Sequence, residues 1–81
     1  MESTKEFFDS LITPEEGAVM ARRAMAWYCL REMAYIRFSR STPSTRQAFS
    51  AAVEQALNYG VDGLDIRQTI SEASEEALHG R

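Results

Sequence analysis

Between Pro14 and Pro43 the chain carries no proline, and its one glycine there, Gly17, falls in the first turns, so nothing interrupts a helix of about 26 residues. Thr13-Pro14-Glu15-Glu16 supplies the start: a hydroxyl to accept from a free backbone N–H, a proline where its missing donor costs nothing, and Glu16 at the third position. The expected rod runs from about 14 to 40 and is roughly 39 Å long. Any fold of 81 residues must be arranged around an element of that size.

The remaining elements are shorter. Ser3 and Glu6 have capping-box spacing, and Phe7, Phe8, Leu11 and Ile12 form one stripe, which predicts a short helix from Thr4 to Ile12. Thr42-Pro43 repeats the cap-then-proline device before the stripe Ala48, Phe49, Ala52, Val53, Ala56 and Leu57, which ends at Tyr59 and Gly60. Asp62 or Asp65 can cap a further helix in which Ile66, Ile70, Ala73 and Ala77 recur on one side and Gly80 is the stop. The fold class is therefore all-α: one domain over 1–81, a bundle of about four helices, with the rod at its centre and a C-terminal helical hairpin packed beside it.

What distinguishes the rod is that it is apolar on more than one side. At 100° per residue, Met20, Ala24, Trp27, Tyr35 and Phe38 lie along one face. Met25, Cys29, Met33 and Ile36 lie along the opposite one, flanked by Val19, Ala26 and Leu30. The means to cover both are limited, because Leu, Ile, Val and Phe make only 16 of the 81 residues and 11 others are Ala. A face left open would exceed the apolar patch that a monomer ordinarily shows. Self-association is the expected answer, with two rods antiparallel about a two-fold axis as the commonest symmetry. A monomer in which the other helices enclosed the rod completely would have no such face.

Charge is segregated along the chain. Residues 1–16 carry one Lys and five acids, 17–46 six Arg and Glu32, and 47–81 two Arg and six acids, that is −4, +5 and −4 for a net −3. Folding the acidic ends against the basic middle neutralises much of this, so nucleic acid is not expected as a partner. Arg beside Trp and Tyr is instead the composition of a protein-interface hot spot. The expected contact residues are Arg23, Trp27, Tyr28, Arg31, Tyr35, Phe38 and Arg40, on a homodimeric regulator, adaptor or inhibitor that covers a surface of another intracellular protein.

Chemistry of the chain's own is not expected. Cys29 has no second Cys or nearby His and reads as a buried, inert thiol, His79 has no ligand partner three or four residues away, and the Met series reads as core filling. Glu72, Glu75 and Glu76 read as a solvated helix face. There is no phosphate loop, nucleophile elbow or dinucleotide fingerprint, so no enzyme, cofactor or metal is expected. The longest apolar run, Ala24–Leu30, is too short to cross a bilayer, and the N-terminus lacks a signal-peptide plan; the expected location is cytoplasmic.

One alternative reading takes Ala34-Tyr35-Ile36-Arg37-Phe38-Ser39 as a strand, with Ile36 and Phe38 on one side and Tyr35, Arg37 and Ser39 on the other, followed by two helices around Gly60. In outline, residues 33–80 then resemble a ribbon-helix-helix repressor. The resemblance would imply a dimeric transcriptional regulator with Tyr35, Arg37 and Ser39 as base readers in the major groove. It departs from the family at Asp62-Gly63-Leu64-Asp65, where carboxylates stand at the helix start that would meet phosphate.

Overall fold

A computed structural model describes residues 13–80. The helix expected over Thr4–Ile12 lies outside the described residues. Those described form three helices and no strand: α1 (Pro14–Ser39), α2 (Pro43–Asn58) and α3 (Gly63–His79). None is long and apolar enough to cross a membrane.

Each boundary has a local cause. The Thr13 side chain accepts from the Glu16 N–H at the start of α1. Thr42 and Thr45 cap α2 reciprocally, and the Thr45 hydroxyl also donates to the Arg40 carbonyl across the break between helices. Asp62, rather than Asp65, caps α3 by accepting from the Leu64 N–H at 2.7 Å. Between α2 and α3 the Gly60 N–H donates to the Leu57 carbonyl and the Val61 N–H to the Ala56 carbonyl. That is a Schellman stop, with Val61 buried as its apolar seal. The stop requires a left-handed residue, and Gly60 has φ 87° with open space around it. Gly60→Ala is therefore expected to cost about 1 kcal/mol through backbone strain alone, read as a lowered urea midpoint with an unchanged m-value.

Residues 34–39 are the last turns of α1, so the ribbon on which the repressor resemblance depends is not formed. Met33 and Ala34 continue the helix, and no proline or glycine follows to stop it before Arg40.

The two C-terminal helices do not pack as a hairpin laid beside α1. They straddle it, each making many more contacts with α1 than with the other. Phe38 meets Phe49 while Met25 and Cys29 lie near Gln55 and Tyr59, so α2 runs antiparallel to α1. Trp27 meets Thr69 and Arg31 meets Glu76, so α3 runs parallel to it. The reason is in the stripes. Ala52 and Ala56 of α2, and Ile66, Thr69 and Ala73 of α3, are the buried residues of those helices, and in α1 only Ala26, Leu30 and Ala34 are buried. Leu30 is wholly enclosed, at the centre of a cluster with Ala52, Ala56, Val61 and Ile66, against which Met33, Phe49, Val53 and Ile70 pack.

Among the described residues this core is thin. Five of the eight buried hydrophobic residues there are alanines, which let helix backbones approach closely but bring little apolar area out of water. Nor do α2 and α3 enclose the rod. The buried line Ala26, Leu30, Ala34 continues in register to Val19, which is 55% exposed, and on the side of α1 turned away from α2 and α3 Met25, Tyr28, Cys29 and Ile36 are exposed while Glu32 and Tyr35 are half-buried.

Candidate protein-interaction surface

Trp27 leaves α1 on the side of α3, and its indole N–H donates to the Thr69 hydroxyl at 2.7 Å. One turn on, Arg31 reaches across the same gap to pair with Glu76. Both side chains of that pair remain substantially exposed, so it orients Arg31 rather than adding much stability. Beside these ties α1 and α3 leave a cleft of about 400 Å³, lined by Ala24, Trp27, Tyr28 and Arg31 of α1 and by Asp65, Gln68, Thr69 and Glu72 of α3. An aromatic face, a guanidinium and an amide thus converge on one opening, which suits a polar and aromatic contact from another protein.

The indole–hydroxyl bond can be measured. Trp27→Phe removes the donor from the buried Thr69 hydroxyl, and Thr69→Val removes that hydroxyl. The expected coupling between the two, from urea unfolding of the single and double variants, is about 0.5–1.5 kcal/mol. A coupling of zero would mean that the bond contributes nothing.

Of the seven residues expected at a contact surface, the fold brings Trp27, Tyr28 and Arg31 together at this cleft. Tyr35, two turns beyond Tyr28, is half-buried. Phe38 is elsewhere. Eleven residues from Trp27, and so about 16 Å along the axis, it packs edge-on against Phe49 with ring centroids 6.1 Å apart. The Arg37 guanidinium lies over both rings, 4.9 Å and 5.6 Å from their centres. These three side chains clamp the end of α1 to the start of α2, and Phe38 remains 38% exposed there. Arg40 is the C-cap of α1, and Arg23 is exposed in the first half of the rod, away from the cleft.

Three sequence expectations are corrected. Cys29 is exposed, not buried, because on α1 it falls on an open groove beside α2 rather than on the buried line Ala26, Leu30, Ala34. Of the methionines read as core, only Met33 packs on it; Met25 is 71% exposed and Met20 46%. Glu76, read as part of a solvated face, is half-buried and tied to Arg31.

The opposite flank of α1 holds a second feature, a shallow groove of about 180 Å³ in which Arg22, Met25 and Cys29 face Gln55 and Tyr59 of α2. The sequence carries no signal for Gln55, Tyr59 or Thr69 as surface partners, since each depends on which side of α1 its helix takes. Among the described residues no group of three His, Cys, Asp or Glu side chains could hold a metal ion. No protein-family model, no curated protein and no solved structure gives a significant match to the chain.

Proposed function

We propose that this chain is a small non-enzymatic interaction module, a homodimer that acts as a regulator, adaptor or inhibitor by covering a surface of another intracellular protein. One observation carries the reading: the back of α1 exposes large apolar side chains, Met25 at 71% and Ile36 at 40%, with Cys29 between them. A monomer does not ordinarily leave such a patch in water. The thin alanine core adds to the argument, because burying each exposed Met, Tyr or Ile against a second chain contributes about 1.5–3 kcal/mol, comparable in sum to the stability of a small domain. The cleft of Trp27, Tyr28 and Arg31 is then the site for the other protein, with Tyr35 extending it, while Arg23 and Arg40 are further charges on α1 outside the cleft. An exposed Cys29 is compatible with the reducing cytoplasm, where it stays a thiol.

Size-exclusion chromatography with light scattering tests self-association. The expected mass at micromolar concentration is twice the 9.2 kDa of one chain. A mass of one chain up to about a hundred micromolar would remove the dimer from the proposal.

A further inference from the structure

The open side of α1 has an internal symmetry that tells how two copies meet. Ala18, Arg22, Met25, Cys29, Glu32 and Ile36 are spaced by four, three, four, three and four residues, the seam spacing of a two-stranded coiled coil, and fall within about 80° of helix arc. All lie in α1, and all but the half-buried Glu32 are exposed. The spacing reads the same in both directions, so the stripe can be laid on a second copy of itself head to tail.

We infer that two chains pair through this stripe, with their α1 helices antiparallel and the two-fold axis crossing the seam midway between Met25 and Cys29. In that register position n of one copy faces position 54 − n of the other. Ala18 then faces Ile36, small against large, at the two ends of the seam; Met25 faces Cys29, apolar against apolar, at its centre; and Arg22 faces Glu32, opposite charges, on either side of that centre. Parallel pairing in the same seam would set Arg22 against Arg22 and Glu32 against Glu32, which is repulsive at each. The ends of α1 agree, since antiparallel pairing brings Glu15 and Glu16 of one copy toward Arg37 and Arg40 of the other, whereas parallel pairing superimposes like charges. The groove beside Met25, bounded by Gln55 and Tyr59, admits the edge of the second helix. The inference rests on the proposed self-association and adds its face and register. It also separates two functions, because the cleft of Trp27 and Arg31 lies off this seam and stays open in the dimer.

Thiol geometry tests the register. Along the axis Cys29 of one copy is about 6 Å from Cys29 of the other in this arrangement, which places their Cα atoms beyond the roughly 7 Å that a disulfide tolerates. Met25→Cys sets a second thiol directly opposite Cys29 of the other copy. Under mild oxidation of the full chain, the expected result is rapid covalent dimer for Met25→Cys and little for the wild type or for Met25→Cys combined with Cys29→Ser. As a second readout, Arg22→Glu and Glu32→Arg should each weaken self-association at least tenfold, and an equimolar mixture of the two should restore it. Helix content by circular dichroism checks that each variant folds. Cross-linking of wild type as fast as of Met25→Cys would overturn the antiparallel register. A chain that keeps its dimer mass through Arg22→Glu, and whose Met25→Cys variant does not cross-link, would overturn the seam while leaving self-association standing. A monomeric wild type would end both.

Discussion

Leu30→Ala is expected to lower stability by about 2–5 kcal/mol, the range for emptying an enclosed leucine site, and for a chain of this size that is enough to leave much of it unfolded at room temperature. Leu30 has no exposed surface and, among the described residues, is the one large side chain so enclosed; its buried cluster neighbours on α2 are alanines that cannot lengthen to refill the space. Urea or thermal unfolding at fixed protein concentration measures the effect, the concentration being held because association contributes to the apparent stability. A loss under about 1 kcal/mol would mean that the cluster around Leu30 is not where the three helices are held together.

The second large effect separates association from folding. Met25→Glu is expected to leave the fold of a single chain unchanged to within about 0.5 kcal/mol, because the side chain is mostly in water and Glu is as good a helix former as Met. The same change should weaken the dimer drastically. In a two-fold interface each substitution occurs twice, so losing about 1.5–3 kcal/mol per methionine amounts to roughly 3–6 kcal/mol, or about 10²–10⁴ in the dissociation constant. Analytical ultracentrifugation over a concentration series gives that constant. An unchanged value would place the contact on another face.

Much of this architecture was legible in the residues. Thr13-Pro14 and Thr42-Pro43 are caps whose chemistry needs no tertiary context, and both helices begin where those pairs predict. Gly60 likewise marks the end of α2 through a local backbone requirement. The periodicity of α1 also implies apolar residues on more than one side, and with α2 and α3 in place Met25, Cys29 and Ile36 are exposed. What periodicity could not supply was which line would be buried. Ala26, Leu30 and Ala34 form that line because small residues let α2 and α3 approach from either side, and an alanine carries too weak a hydropathy signal to announce it. The larger Met25, Met20 and Cys29 drew attention as core and lie outside it. Trp27 and Arg31 were recognised as a pair of contact residue types, but their cleft exists only because Thr69 and Glu76 arrive on a helix running parallel to α1. Phe38 was grouped with them by angle alone, and its partner Phe49 draws it into the α1–α2 clamp.

The most direct test of the central claim, that the open side of α1 is a contact surface, is the rate at which Cys29 reacts with a small thiol reagent as protein concentration is raised. Cys29 sits in the middle of that side and is exposed in a single chain. The account predicts fast labelling at low concentration that slows at least tenfold as the light-scattering mass doubles, with the two transitions coinciding. Labelling that stays fast at every concentration while the mass doubles would contradict it.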